Sequence, residues 1–438
     1  MLSVHTCPLA ALGGKETGGM NVYVRELSRE LAARGHCIDI YTRSQDPHIA
    51  HEIPGLEIGA RVFHVPAGPE APYNKHRLFD YLPQFTHGVQ HIAETEGIYY
   101  DVYHSHYWLS GWVARELQEC QRAPVVQMYH TLGALKNQVA RRVYDRETDH
   151  RIHIERELMQ FANCLIAATP LDREHMIELY DAPPQNICVV PPGVDLNLFR
   201  PIPFAEAKAF VGSPNDHHMI LFVGRIDPIK GIDIWFRAMA RVIQEHPALR
   251  GKMCVCLVGG DVDEDTPDAE LARLQSLKDE LGIGDIVMFR GKQSQEDLPY
   301  YYSAADIVVM PSLYESFGMV ALEAMACGTP VVASAVGGLS FVVRDGETGF
   351  LVPEGDPRAL ADILGHLICE PDLRERLGRR GVAIAREYAW TRVADQIEEI
   401  YQELGNGRRK KPGRPAPPAR AGVNSRQLTA KPTVVGLN

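Results

Sequence analysis

Two cations, Arg225 and Lys230, lie in the segment FVGRIDPIKG (222–231), at the expected end of a strand and just ahead of a helix. An arginine fork and a lysine point charge on one such loop can flank a diphosphate. The alternative is a solvated surface pair, but open parallel sheets gather ligands at the carboxyl ends of their strands, where this loop falls. Further along, PSLYESFGMVALEAMACGTPVVAS (311–334) carries Glu315 and Glu323. ESFG is expected to open a helix whose free N–H groups face a cleft. Glutamate is usually an exposed helix charge; Glu323 is embedded in the otherwise apolar run MVALEAMACG, which points to function. A third element, GGKETGGMN (13–21), sets Gly18 and Gly19 before a helix, where backbone N–H groups can approach an anion. It lacks the spacing of dinucleotide loops and, read alone, is equally a tight turn.

Other patterns carry less. His104 and His106 form an H-x-H at a strand end and share one face, but no further ligand cluster follows, so an orienting or packing role is expected and no metal. His217 and His218 read as surface-loop residues, and no Ser-His-Asp or Cys-His arrangement can be read from spacing. The nine cysteines form no C-x-x-C pair; Cys254 and Cys256 alternate in an apolar strand and behave as small hydrophobes. Reduced core thiols fit the cytoplasm.

Positioning these residues requires parallel sheets. Short apolar runs alternate with helix-period segments along the 438 residues, 45% of them hydrophobic, which predicts an α/β protein with a large core. Strands are expected at 37–43, 62–66, 101–106, 124–130, 164–170 and 187–191, then in a second series at 219–225, 253–259, 286–290, 306–311, 330–334 and 349–352. Two series imply two doubly wound domains, with the proline-rich PPGVDLNLFRPIP (191–203) joining them and the cleft between them as the default site. Val24, Leu27 and Leu31 mark the helix after the glycine loop, and Val393, Ile397 and Ile400 mark a last amphipathic helix over 390–404. The division expected is 1–192, a first Rossmann-like domain; 193–375, a second; 376–405, helices packing back on the first domain; and 406–438, a disordered tail. That tail holds basic residues and no acid, so the rest of a chain of net charge −11 is more acidic still, against nucleic acid as the partner. No apolar run is long enough to span a bilayer, and the opening MLSVHTCPLA lacks a signal-peptide pattern.

GGMN, HSHYWLSG, VVPPGVD, FVGRIDPIKG and ESFGMVALEAMACGTPVVAS, in this order, resemble the retaining nucleotide-sugar glycosyltransferases of the GT-B fold, in the glycosyltransferase family 4 group. The likeness runs from about Ser3 to Leu404 and is strongest toward the inositol-phosphate branch, with sucrose-phosphate synthases next. It implies that Arg225 and Lys230 bind the donor diphosphate and Glu323 the ribose hydroxyls. Glu315 is the acid at the donor sugar, with the amides of Ser316, Phe317, Gly318 and Met319 beside it. Gly18 and Gly19 approach the diphosphate from the other domain, and His130 faces the transferred sugar. On the acceptor side the resemblance places Lys75, Tyr107, Thr131 and Arg151 around a phosphate and Asn21 on the acceptor ring. Two cations and two hydroxyls also suit a dianionic phosphate on chemical grounds. The pattern departs at the start, where only MLSVH precedes the loop and the first strand looks cut short.

The expectation is therefore a glycosyltransferase that moves a sugar from a nucleoside-diphosphate sugar, UDP-GlcNAc or UDP-glucose, to a small phosphorylated acceptor, inositol phosphate. The alternatives are sucrose-phosphate-type transfer to fructose 6-phosphate, a nucleotide-sugar epimerase or hydrolase, and a non-catalytic sugar-phosphate binder. No metal or other cofactor is expected to be required, the cytoplasm is the expected compartment, and a homodimer is left open.

Overall fold

The computed structural model describes residues 1–10, 17–54, 59–260 and 269–405. The tail expected at 406–438 and the opening of the glycine loop at 13–16 lie outside these residues.

The first domain contains β1 (Ile38–Arg43), β2 (Glu52–Pro54), β3 (Ala60–Val65), β4 (Tyr103–His106), β5 (Val125–Met128), β6 (Cys164–Ala167) and β7 (Ile187–Val189). Its strands pair in parallel except β2, a short antiparallel edge on β3. The opening residues fill the gap between β1 and β4: Leu2 bridges Tyr41 on one side and Ser105 on the other, and the Ser3 and Leu2 amides donate to Tyr41 and His104 carbonyls, both at 2.9 Å. MLSVH thus does supply the first strand, in four residues, joining what would be two sheets into one. So short a run offers no alternation to read, and β2 lacks the apolar character of a buried strand.

The second domain is a six-stranded, fully parallel sheet in the order β10-β9-β8-β11-β12-β13. These are β8 (His218–Val223), β9 (Met253–Val258), β10 (Val287–Phe289), β11 (Ile307–Met310), β12 (Val331–Ser334) and β13 (Gly349–Val352). Helices cover both faces, which is why the central strands IVVM and VVAS are apolar throughout. His218 is not in a loop: it opens β8 and lies 3.3 Å from Asp306.

The chain returns to the first domain later than the boundary at 376, which falls inside the helix Pro371–Ala385. That helix stays on the second domain, where Gly381 lies against Met325. The crossing is at Arg386–Tyr388, and only the helix Trp390–Gly405 packs back. Trp390 meets Tyr23 edge to face at 5.4 Å, while Arg34 holds Asp395 at 2.6 Å and Glu398 at 3.1 Å. Val393, Ile397 and Ile400 are all buried, in one apolar cluster with Tyr23, Leu27 and Leu31 of the first domain and Ala324 and Met325 of the second. The cleft is therefore braced on one side by a shared core.

His104 and His106 are buried with His5 nearby against Tyr107, and the half-buried His130 joins them, with His106 Nδ1 3.0 Å from His130 Nε2 and His104 Nδ1 2.6 Å from the Tyr401 hydroxyl. Burial pushes His5, His104 and His130 down to about 3, and His106 well below the ordinary 6.5. The unfolded chain binds these protons from about pH 6.5 downward and the folded chain does not, so each histidine removes up to about 1.4 kcal/mol of stability per pH unit below 6.5. Glu323, raised by burial to about 7, and Asp172, raised to about 6, oppose this over most of the range, until the pH falls to their ordinary values of about 4. Four groups against two leave a net loss on acidification. The melting temperature should fall from pH 6.5 to pH 4; a flat or rising profile would contradict it.

Candidate active site

Most of the residues singled out above lie on loops that follow strands in both sheets, with Glu323 and Arg151 in helices. In the second domain Arg225 and Lys230 follow β8. Asp227 caps the short turn Pro228–Lys230 through the Ile229 amide at 3.1 Å, and Gly231 takes φ 64°, with the Pro311 carbonyl 2.1 Å from where a Cβ would stand. This seats the turn against the loop after β11, whose Leu313 amide donates to the Ile229 carbonyl at 2.8 Å. Lys230 Nζ then reaches Glu315 Oε2 at 2.6 Å, both side chains mostly shielded, while Arg225 is one-third exposed and 3.7 Å from Asp227.

Ser316, Phe317 and Gly318 lead into the helix Met319–Ala326, with Gly318 at φ 101° as its cap. Two glycines absent from the sequence reading hold this loop, Gly337 and Gly338 after β12. The Gly338 amide donates to the Glu315 carbonyl at 2.9 Å, and a Cβ on Gly338 would stand 2.3 Å from Phe317 Cα. We expect Gly338→Ala to displace the loop and lower kcat/KM about a hundredfold. A variant with normal kinetics would show that the loop tolerates the shift. The signal available was the GG pair at a strand end; its target, far away in sequence, was not.

Glu323 is buried and accepts from the Tyr302 hydroxyl at 2.7 Å. Burial pushes its carboxyl up to about 7, against the pull of Tyr302 and of Arg25 from the first domain. The two domains touch at both ends of this loop. A Cβ on Gly19 would lie 3.1 Å from Met319 Sδ, so the helices Gly19–Ala33 and Met319–Ala326 begin against each other. The Leu132 amide faces the Tyr314 hydroxyl at 3.5 Å, and Arg25 meets Gln295.

In the first domain Tyr107 and His130 follow β4 and β5 with φ of 75° and 59°, a left-handed backbone that costs about 1–3 kcal/mol in a non-glycine residue. His130 is neutral and held by His106. Tyr107 and Thr131 converge on Arg151, which opens the helix Asp149–Phe161 and is fully buried. Arg151 donates to the Tyr107 hydroxyl at 2.8 Å, the Thr131 carbonyl at 2.7 Å and the Thr131 hydroxyl at 3.2 Å. Lys75, at the head of the turn Lys75–Tyr81, acts electrostatically on His5, Lys136 and Glu147 of the same cluster. Asn21 is different. Its Oδ1 accepts from the Gly18 amide at 2.9 Å and both Nδ2 protons are spent on Thr6 and the Cys7 carbonyl at 2.7 Å, so it shapes the glycine loop rather than presenting an amide to the cleft.

Sequence reading missed the layer behind Arg151. Glu155 Oε1 accepts from Arg151 Nε at 2.7 Å, while its Oε2 takes the Gly133 amide at 3.0 Å and the Tyr180 hydroxyl at 2.5 Å. Glu147 Oε1 lies 2.9 Å from Arg151 and pairs with Lys136. Among the described residues no group of three or more histidine, cysteine or acidic side chains could hold a metal ion, and no helix is long and apolar enough to cross a membrane.

Comparison with known proteins agrees with this architecture. The model for glycosyltransferase family 4 matches residues 17–198, and that for glycosyl transferases group 1 matches 203–383. The chain is 41% identical over 409 residues to a D-inositol 3-phosphate glycosyltransferase of Thermobispora bispora, covering 92% of this chain and 94% of that one. It is 42% identical over 403 residues to the Streptomyces scabiei protein of the same name, covering 92% and 90%. Among solved structures, a sucrose-phosphate synthase from Thermosynechococcus elongatus superposes with a TM-score of 0.85 at 36% identity, over 93% of this chain and 98% of that one. Anabaena HepE in complex with UDP-glucose gives 0.70 at 21% identity over 92% and 99%, a likeness of fold alone.

Proposed function

Since the chain belongs to the glycosyltransferase family 4 group of retaining GT-B enzymes, we propose that it moves a sugar from UDP-GlcNAc or UDP-glucose to a hydroxyl of an inositol phosphate. The observation that carries the acceptor half is the convergence of Tyr107 and Thr131 on the Arg151 guanidinium, with Lys75 and Lys136 beside them. On the donor side Arg225, Lys230 and the start of the helix Met319–Ala326 stabilise charge growing on the departing diphosphate, so electrostatics supplies most of the rate and no metal or cofactor is required. The leaving phosphate takes the acceptor's proton. His130, neutral at working pH, faces the sugar without acting as a cationic acid. Glu323 takes the ribose hydroxyls, Glu315 and the Ser316–Met319 amides the sugar, and the nine unbridged cysteines fit the cytoplasm. The structural likeness to a sucrose-phosphate synthase favours fructose 6-phosphate as the second acceptor to try.

A mass-spectrometric screen of UDP-, GDP- and ADP-sugars against inositol phosphates and hexose phosphates tests the reading. A product one sugar heavier than a phosphorylated acceptor is expected from a UDP-sugar. Turnover of the donor at full rate with no acceptor present would replace the reading with a hydrolase or epimerase.

A further inference from the structure

Arginine has five N–H donors, and Arg151 meets five oxygens of its own chain: Glu155 Oε1, Tyr107 Oη, Glu147 Oε1, and the Thr131 carbonyl and hydroxyl. A phosphate can therefore bind this guanidinium only by taking the place of one of them. Four are fixed. Glu155 is fully buried and anchored by Tyr180 and the Gly133 amide, and a Cβ on Gly133 would stand 3.1 Å from its Oε2, leaving no room to move. The Thr131 carbonyl is backbone, and the Tyr107 and Thr131 hydroxyls can turn a proton to a phosphate and stay in place.

Glu147 is the exchangeable partner. It precedes the helix cap Thr148, in the connection between the helices Gly133–Val139 and Asp149–Phe161. One oxygen, Oε1, serves both Arg151 and Lys136, and Lys136, a quarter exposed, stands at the solvent side of the pair. The Glu147 backbone is tied separately, its amide donating to Asn137 Oδ1 at 2.7 Å and its carbonyl accepting from Asn137 Nδ2 at 3.1 Å. The backbone hold is therefore independent of the carboxylate, and a change of side-chain rotamer is all that its displacement requires. Burial opposes the charge on this carboxyl, but Arg151 and Lys136 overcome it and hold the group down at about 2. It is an anion at every working pH, seated where an anion is to bind.

We propose that Glu147 is the specificity-determining placeholder of the acceptor site: its carboxylate occupies Arg151 and Lys136 until a dianionic phosphate displaces it, and Lys136 then joins the phosphate ligands. The inference rests on the reading of Lys75, Tyr107, Thr131 and Arg151 as a phosphate site. A built-in competitor raises the threshold for entry. A phosphate ester, with two charges and three oxygens, outcompetes one carboxylate, whereas a carboxylate or a neutral hydroxyl group on an otherwise similar acceptor does not.

The test is calorimetric titration of the full chain with inorganic phosphate, in wild type, Glu147→Gln, Glu147→Asp and Lys136→Met, with melting temperatures measured alongside. Glu147→Gln keeps the shape and removes the competing charge, so phosphate should bind about tenfold tighter or more. Glu147→Asp is too short to serve both cations and should tighten binding to a lesser degree; it keeps the test alive should the glutamine variant fold poorly. Lys136→Met should weaken binding about tenfold. If Glu147 serves only to orient Arg151, both Glu147 variants bind phosphate equally or more weakly than wild type, which overturns the inference while the phosphate site stands. If neither wild type nor either Glu147 variant binds phosphate, the phosphate reading itself falls and the inference with it.

Discussion

Lys230→Ala and Arg225→Ala should each lower kcat/KM by about two decades or more, and the loss should appear in kcat as well as in donor affinity. A charge contact made to the departing diphosphate strengthens as the bond breaks, and removing one such donor typically costs about 3–4 kcal/mol. The two variants should differ in a way the geometry specifies. Lys230 is bonded to Glu315 at 2.6 Å, so its loss also leaves that carboxylate without its cation in a shielded place. Arg225 is more exposed, and its partner Asp227, 3.7 Å away, is itself one-third exposed, so stranding that carboxylate costs less. Lys230→Ala should therefore show the larger fall. Steady-state kinetics with the nucleotide sugar varied decide this, and near-normal kcat in both variants would remove the diphosphate assignment.

Arg151→Ala should be the most damaging single change in the first domain, through stability before activity. Arg151 is 1% exposed and sits between Glu155, 0% exposed, and Glu147, 2% exposed. Truncation leaves Glu155 buried without a cation and Glu147 with Lys136 alone, and breaking a buried pair costs about 3–5 kcal/mol. A marginally stable protein has little more than that to lose. Urea unfolding should give a midpoint far below wild type; an unchanged midpoint would mean the carboxylates find water or protons at little cost. The acceptor site is better probed at Lys75, half-buried at the head of its turn, which acts on Glu147 electrostatically but leaves the Arg151 pairs with Glu155 and Glu147 in place.

Most of the fold was legible because it is built of parallel strands covered on both sides. Runs such as IVVM and MCVCLV have no solvent face to encode, so apolar continuity alone marks them. Where burial is partial the signal fades. The strand through Leu2 is too short to show a pattern, Glu52–Pro54 is a polar edge, and the return crossing at Arg386–Tyr388 is hidden because the helices on either side of it are both amphipathic.

Arg225, Lys230 and Glu315 stand out by composition after strand ends, whereas Tyr107, Thr131 and Arg151 were legible only through the family resemblance; the fold brings each set together. What was illegible is what those charges lean on. Glu147, Lys136 and Glu155 are ordinary helix and loop charges in sequence, and only folding places them on Arg151. The resemblance put Asn21 on the acceptor ring, yet its side chain faces inward, since Thr6 and Cys7 lie behind the loop. The left-handed backbone of Tyr107 and His130 has no signature in sequence, since it is uncommon in any residue but glycine and neither spacing nor composition marks it.

The acceptor is proposed to be recognised through a phosphate held by Lys75, Tyr107, Thr131 and Arg151. The direct measurement is the ratio of kcat/KM for inositol phosphate over free inositol, taken in wild type and in Lys75→Ala at saturating UDP-sugar. A site built to pair a phosphate rejects the molecule that lacks it, so the ratio should be about three decades or more in wild type and shrink by at least tenfold in Lys75→Ala, with donor KM unchanged. Equal rates for inositol and its phosphate, or a ratio indifferent to Lys75, would contradict the account.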